Sequence, residues 1–230
     1  MFFYYDYYYL ILVLPALIIA MWAQFKVQST FNKYNKMRAT RGYTAADIAR
    51  KLLDENGLYN VSVERVSGNL TDHYDPKANV IRLSDSVYNS TSVAAIGVAA
   101  HETGHAIQYA KKYAPIKLRS AIIPLSQIGS SLSVPLIILG FIFSFRPLVI
   151  GGILLFALVA LFQLITLPVE FNASRRALSF LEAGDYLYGD ELKGAKKTLS
   201  AAAMTYVAAL FVSLMQLLRL ILLFGRRNND

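Results

Sequence analysis

The side chains best suited to chemistry lie in one short segment, His101-Glu102-Thr103-Gly104-His105. Residues four apart in a helix project from one face about one turn apart, so both imidazoles can bind the same metal ion. Glu102 then lies beside that ion, where its carboxylate can take a proton from a bound water and pass it to a leaving amine. The spacing therefore predicts Zn²⁺-assisted hydrolysis of a peptide bond.

A pattern of this length also arises by chance, so its interpretation depends on the surrounding segment, Val93–Ala110. Ser90-Thr91-Ser92 offers N-caps for a helix that begins at Val93. The segment is too polar for a membrane span but apolar enough to be buried, with small neighbours at Ala99 and Ala100. Burying two histidines and a glutamate without a metal would cost free energy. A buried zincin-type helix is therefore favoured over the alternative, two solvated histidines on an exposed helix.

Two histidines leave a catalytic zinc ion one protein ligand short, since such sites usually have three protein ligands and a water. The metzincin class is excluded because it needs Gly and His where this chain has Gln108 and Lys111. The chain has no cysteine, so any metal must be held by imidazole and carboxylate. The candidate acids downstream of the motif are Glu170, Glu182, Asp185, Asp190 and Glu191.

Glu170 stands out among these acids because it directly follows a predicted membrane span, on the membrane side where the motif helix must lie. Its surroundings are helix-like, so Ser174 falls one turn later on the same face. From there its side chain could contact a metal ligand without binding the metal itself. The alternative is that Glu170 simply pairs with Arg175 or Arg176 at the membrane interface.

His73 is the third histidine of the chain, and two interpretations of it are open. It could face the cleft beside the motif helix and stabilise the oxyanion of a tetrahedral intermediate, with Tyr74 as another candidate donor. Alternatively, Asp72 and Asp75 organise a turn here and His73 has no part in catalysis.

The composition predicts a membrane protein, because 55% of the 230 residues are hydrophobic and the apolar residues occur in long runs. A helix needs about 20 residues to cross a bilayer. Four stretches approach that length: Tyr5–Gln24, Ala121–Phe143, Pro147–Leu167 and Ala201–Phe224. The last of them contains Gln216 and Arg219, which we expect to face a bundle interior.

The distribution of Lys and Arg predicts which side of the membrane each polar region faces. With four spans, the regions Lys26–Arg119 and Val169–Ser200 lie on one side, and together they hold 19 of the 23 basic residues. Cytoplasmic loops are enriched in basic residues, so both regions are predicted to be cytoplasmic. Arg226 and Arg227 oppose that orientation for the C-terminus.

The first polar region is predicted to contain a small α+β unit. A helix begins at Thr44 and ends at Asn56-Gly57, a strand covers Tyr59–Val66, and a short hairpin carries His73 near its first arm. We therefore divide the chain into residues 1–25 (first transmembrane helix), 26–120 (cytoplasmic α+β region with the motif helix), 121–168 (transmembrane hairpin), 169–200 (cytoplasmic helix with the third ligand) and 201–230 (last transmembrane helix and tail).

Nearly the whole chain resembles the YugP-like membrane zinc metallopeptidases of bacteria, also called neutral zinc metallopeptidase family 2. The resemblance runs through WAQFKV, LTDHYDP, VIRLSD, HETGHAIQ, QLITLPVEFNASRRA and SAAAMTYVAAL. It implies a gluzincin-like site in which His101, His105 and Glu170 bind zinc and Glu102 is the base. The wider HtpX-like proteases have an aspartate four residues after the glutamate ligand, whereas Ser174 occupies that position here.

Together these features predict a membrane-embedded zinc-dependent endopeptidase in a bacterial plasma membrane, with the bilayer and protein or peptide substrates as its partners. The alternative is a membrane scaffold or assembly factor that keeps a metal site only for structure. The intact Glu102 disfavours that alternative, because a structural site would not need a base. A net charge of +8 could indicate a nucleic-acid partner, but no aromatic and basic stacking module is visible, so we expect none.

Overall fold

The computed structural model describes residues 6–225, which form helices and one small sheet. Three residues used in the sequence predictions lie outside this range: Tyr5, which begins the first predicted span, and Arg226 and Arg227, which oppose the predicted orientation of the C-terminus. The helices are α1 (Leu14–Tyr34, preceded by a π-helical turn, Tyr9–Val13), α2 (Ala45–Glu55), α3 (Val93–Ala110), α4 (Ala114–Ile142), α5 (Arg146–Ala183) and α6 (Gly189–Gly225). The strands are β1 (Ser62–Val66), β2 (His73–Asp75) and β3 (Val80–Ser84).

The chain forms two compact units. An apolar unit comprises Met1–Gln24, Leu118–Leu167 and Thr205–Asp230, and an α+β unit comprises Phe25–Lys117 and Pro168–Met204. Within the described residues, four helices are long and apolar enough to cross a membrane: Tyr9–Tyr34, Ala114–Ile142, Arg146–Ala183 and Gly189–Leu223. The prediction of four spans is thereby confirmed.

The apolar unit presents large hydrophobic side chains outward, as a lipid-facing bundle does. Ile142 and Leu154 are 68% and 63% exposed, respectively. Two of its helices, α4 and α5, approach each other closely through glycine: a Cβ on Gly152 would lie 2.7 Å from the Ser133 carbonyl oxygen. Small residues of this kind allow backbones to pack tightly in lipid, where no hydrophobic effect drives helices together.

An ion pair connects the two ends of the sequence within the apolar unit. Arg219 on α6 donates from Nε to Asp6 Oδ2 at 2.7 Å, and from Nη1 to Gln216 Oε1 at 3.3 Å. Its guanidinium carbon lies 5.4 Å from the ring centre of Tyr9. Of the two polar residues predicted to face a bundle interior, Arg219 therefore contacts the beginning of the first span, and Gln216 contacts Arg219.

The sheet of the α+β unit has the order β1-β3-β2. β2 and β3 form the predicted hairpin, with His73 opposite Arg82. β1 pairs in parallel with β3, with Ser62 opposite Val80. β2 is therefore an edge strand, and β3, whose side chains are mostly buried, is the central one.

The motif helix α3 lies between two hydrophobic clusters of the α+β unit. Ala94, Ala95, Ala99 and Ala106 belong to a cluster with residues of α2 and β3. Val93, Ile96 and Ala100 belong to a second cluster with residues of α5 and α6. The helix begins as predicted, because the Ser92 hydroxyl accepts a hydrogen bond from the Ala95 amide at 3.2 Å. The short side chains allow elements to pack against both sides of α3.

Two helix boundaries differ from the sequence prediction. α5 continues through Pro168 without interruption, although the predicted span ended at Leu167. The single helix predicted over residues 169–200 is instead two pieces, because α5 ends at Ala183 and α6 begins at Gly189. Asp185 and Gly189 both have positive φ, +52° and +55°, a backbone conformation that an α-helix cannot continue through.

We expect Arg219→Ala to lower the thermal stability of the detergent-solubilised protein by about 1–2 kcal/mol, because Asp6 would lose a partly buried partner. Arg146→Ala, at an exposed position, is the control and should change the melting temperature little. In a double-mutant cycle with Asp6→Asn, additive losses would show that the pair contributes no coupling energy.

Candidate metal centre

Three side chains that bind metals well converge inside the α+β unit. His101 and His105 come from successive turns of α3, and Glu170 comes from α5. Glu170 Oε2 lies 3.3 Å from His101 Nε2 and 3.5 Å from His105 Nε2. The side chains are 14%, 11% and 3% exposed for His101, His105 and Glu170. One potential ligand atom from each residue lies within 4.8 Å of the others.

The separations of these atoms fit a zinc ion. Ligands at the usual distance of about 2.0–2.2 Å on a tetrahedral ion lie about 3.3–3.6 Å from one another. The two carboxylate–imidazole distances, 3.3 and 3.5 Å, fall in that range. A direct charge-assisted hydrogen bond would be shorter, about 2.7–2.9 Å. Two imidazole nitrogens and one carboxylate oxygen are also a donor set that zinc prefers.

Glu102 lies next to this group but outside it. It is 8% exposed, and its negative charge acts on His105. Burial alone would lower the pKa of His105, but the contact with Glu170 and the charges of Glu102 and Glu170 raise it above its ordinary value. A buried carboxylate that adjoins the group without belonging to it is in the place that a general base needs.

Each motif histidine has a partner on its other ring nitrogen. The Ser174 hydroxyl lies 3.1 Å from His101 Nδ1. Gln108 Oε1 lies 3.0 Å from His105 Nδ1. Partners of this kind orient metal-binding imidazoles. The sequence analysis singled out Ser174, and its supporting role stays a prediction.

Gln108 was missed as a functional candidate in the sequence analysis, where it served only to exclude the metzincins. It is fully buried, and its Nε2 donates to the Val169 carbonyl at 2.8 Å and to Asn172 Oδ1 at 3.0 Å. Arg176 Nε donates to the same Asn172 oxygen at 2.8 Å. The sequence feature that could have identified Gln108 is its position three residues after His105, which places the two side chains on one helix face.

The donor atoms converge because α3 and α5 approach each other at Gly104. A Cβ on Gly104 would lie 2.7 Å from the Ala173 carbonyl oxygen and 3.2 Å from the Ala173 Cα. Backbone atoms cannot move aside as a flexible side chain can. The absence of a side chain at Gly104 therefore allows the helix that carries Glu170 and Ser174 to come close to both histidines.

His73 is not one of the converging ligands. It is exposed at the start of β2, and its Nδ1 lies 2.9 Å from the Thr71 carbonyl oxygen. Tyr74 packs against Tyr109 of α3, with ring centres 5.6 Å apart, and neighbouring residues in a strand point to opposite faces. His73 therefore points away from the face that contacts α3. Its catalytic role stays a prediction, and this geometry gives it no support.

The segment around His73 has the contacts of a turn-organising sequence. Asp72 accepts hydrogen bonds from the Ser84 amide at 2.7 Å and the Ser84 hydroxyl at 3.0 Å. Asp75 accepts from the Lys77 amide at 2.9 Å. Burial raises the pKa of Asp72, the Ser84 bonds lower it, and the negative charge of Glu102 raises it further. These contacts fit the alternative interpretation of the segment.

Comparisons with known proteins agree with this geometry. Residues 9–225 match the model of a protein family described as "Putative neutral zinc metallopeptidase". The chain is 48% identical over 223 residues to the "Putative membrane protease YugP" of Bacillus subtilis (strain 168), an alignment that covers 96% of this chain and 99% of that protein. No solved structure matches the chain.

We expect Gly104→Ala to separate α3 from α5, to cost about 1–3 kcal/mol of stability through overpacking, and to weaken zinc binding at least about 10-fold. The measurements are the melting temperature and the zinc dissociation constant, obtained by competition with a chelator.

Gly97→Ala is the matched control for this substitution on the same helix. Its Cβ would make an ordinary contact, 3.4 Å from the Ala195 Cβ. Zinc affinity should stay unchanged, and stability should rise by up to about 1 kcal/mol through helix propensity. Equal zinc affinities for the two variants would contradict the importance of the close approach at Gly104.

Proposed function

The chain belongs to the neutral zinc metallopeptidase family, and we propose that it is a membrane-embedded zinc-dependent endopeptidase with a gluzincin-like site. In this proposal His101, His105 and Glu170 hold the metal, and Glu102 moves the protons. The main support is the pair of carboxylate–imidazole separations, 3.3 and 3.5 Å, which fit the edges of a tetrahedral zinc site.

A zinc ion held by these three residues would lower the pKa of a bound water and polarise the carbonyl of a peptide bond. The Glu102 carboxylate takes one proton from the attacking water as the oxygen–carbon bond forms. It then delivers that proton to the peptide nitrogen as the carbon–nitrogen bond breaks. One water is consumed, and the products are a carboxylic acid and an amine. This role is supported by the burial of Glu102 and by the effect of its charge on His105.

The edge strand β2 offers a place for the substrate backbone. β2 pairs with β3 on one side only, and its Tyr74 contacts α3, so this edge of the sheet adjoins the motif helix. An extended peptide can add to such an edge through main-chain hydrogen bonds, which depend little on side-chain identity. We therefore propose that the enzyme cleaves unfolded or extended segments of membrane and membrane-proximal proteins.

We also propose that the site faces the cytoplasm. The support is the positive-inside rule, because residues 26–119 and 169–200 hold 19 of the 23 Lys and Arg residues. These two stretches correspond closely to the α+β unit. In this topology the connection between α4 and α5, around Ser144, lies outside the cell.

We expect Glu102→Gln to reduce peptide hydrolysis by at least about 100-fold while the zinc content stays the same, because the amide cannot accept and release the proton. Purified protein in lipid bilayers is assayed for cleavage of an unfolded reporter protein, together with metal analysis of the same samples.

Two further variants separate chemistry from metal binding. Glu182→Gln, on the exposed end of α5, is the control and should keep both activity and zinc. Glu170→Gln should lose zinc as well as activity, since it removes a proposed ligand. If wild type binds zinc but shows no hydrolysis that Glu102→Gln abolishes, the scaffold alternative is the better explanation.

The orientation is testable because the chain has no native cysteine. We expect Ser144→Cys to react with a membrane-impermeant thiol reagent in intact cells. Lys77→Cys, at an exposed position of the α+β unit, should react only after the cells are permeabilised. The reverse pattern would place the site outside the cell.

A further inference from the structure

We propose that Gln108 is a positioning residue that fixes His105 in the tautomer protonated on Nδ1, so that the lone pair of Nε2 faces the metal position. The proposal rests on the proposed function only in taking His105 as a ligand. It assigns a role to a residue outside the metal-binding trio and the proposed base.

The first step is the orientation of the Gln108 amide. Its Nε2 lies 2.8 Å from the Val169 backbone carbonyl oxygen, which can only accept a hydrogen bond. The NH₂ group must therefore face Val169, and the Oε1 oxygen must face the other way. That oxygen lies 3.0 Å from His105 Nδ1.

A second, independent contact requires the same orientation. The Arg176 guanidinium can only donate, and its Nε lies 2.8 Å from Asn172 Oδ1. That oxygen is therefore an acceptor, and it lies 3.0 Å from Gln108 Nε2. The direction of the hydrogen bonds is thus set at both Val169 and Arg176, which lie on α5, and is transmitted through Gln108 to α3.

The consequence for His105 follows from the chemistry of imidazole. A neutral ring carries one N–H, and the acceptor oxygen of Gln108 requires that it be on Nδ1. Nε2 is then left with its lone pair, at 3.5 Å from Glu170 Oε2. This is the form in which the ring binds a metal, and it is set before any metal arrives.

His101 has no such directional constraint from its partner. The Ser174 hydroxyl, 3.1 Å from His101 Nδ1, can rotate to donate or to accept. We therefore expect Gln108 to restrict the tautomer of His105 more strongly than Ser174 restricts the tautomer of His101.

Gln108 also links two proposed ligands to each other. Its acceptor end holds His105, and its donor end holds Val169, the residue next to Glu170. The side chain is fully buried, so removal of the amide would leave His105 Nδ1 on α3 without this partner. One residue therefore contacts one proposed ligand directly and the backbone beside another.

The test combines nitrogen NMR and zinc affinity. The chain contains three histidines, so ¹⁵N-histidine labelling gives few signals, and the assignment uses His73→Ala. In zinc-free wild type, at a pH where the rings are neutral, His105 should show the pattern of an Nδ1-protonated ring. Gln108→Met keeps a similar volume without an acceptor. It should give a mixture of tautomers and weaken zinc binding about 10–100-fold.

Two further variants serve as controls. Gln28→Met, at a solvent-accessible position of α1 where the amide bonds only Asn32 in the described chain, should change neither readout. Asn172→Leu leaves the Gln108–Val169 bond in place and should retain the His105 tautomer, with a smaller loss of affinity.

The proposal would be overturned if wild-type His105 were protonated on Nε2, a result that needs no variant to fold. It would also be overturned if Gln108→Met kept both the tautomer and the zinc affinity of wild type. Neither readout uses hydrolysis, so a protein that binds zinc without peptidase activity would refute the proposed function and leave this inference intact.

Discussion

Backbone contact between α3 and α5 is the constraint on which the rest of the site depends. Side chains from two helices reach a common point only if the helices pass close together, and here α3 and α5 approach closely at Gly104 and Ala173. Glu170 lies three residues before that contact and Ser174 one residue after it, while His101 and His105 flank Gly104 on the other helix. The separation of the helices at this point thus sets the distances between the α3 and α5 side chains of the site. Alanine-rich packing on both sides of α3 maintains that separation.

Burial makes this arrangement costly unless the polar groups satisfy one another. His105, Glu102 and Glu170 are all buried, and ionised groups taken out of water need partners nearby. Hydrogen bonds with Ser174 and Gln108 occupy the outer nitrogens of the two imidazoles, so the inner nitrogens and the Glu170 carboxylate are directed toward one another. A divalent cation among them would offset the remaining charge, which explains why a donor set of this type is stable as a metal site.

Local patterns predicted much of this structure, and long-range pairings were the parts they could not predict. The helix around His101, its Ser92 cap, the four spans and the hairpin at His73 all follow from spacing and composition over a few residues. The parallel pairing of β1 with β3 and the contact of Asp6 with Arg219, 213 residues apart, leave no local trace. Glu170 was singled out because the predicted span placed it on the same side of the membrane as the motif helix. Gln108 was overlooked because a single amide on a helix is common, and its importance depends on which carbonyl it meets on α5.

The partners of the two histidines also bear on the charge of the site. A carboxylate behind a metal-binding imidazole makes the ring a stronger donor, and the HtpX-like pattern places an aspartate where this chain has Ser174. Here both imidazoles have uncharged partners, a hydroxyl and an amide. Glu170 is then the one negative charge among the three proposed ligands, and Glu102 is the next one outward. Two carboxylates would balance a divalent ion, so the proposed base, Glu102, also supplies the second negative charge beside the proposed ligands. Replacing Glu102 by a neutral residue would therefore change the net charge of the centre as well as remove the proposed base, whereas replacing Ser174 or Gln108 by a neutral residue would leave that net charge unchanged.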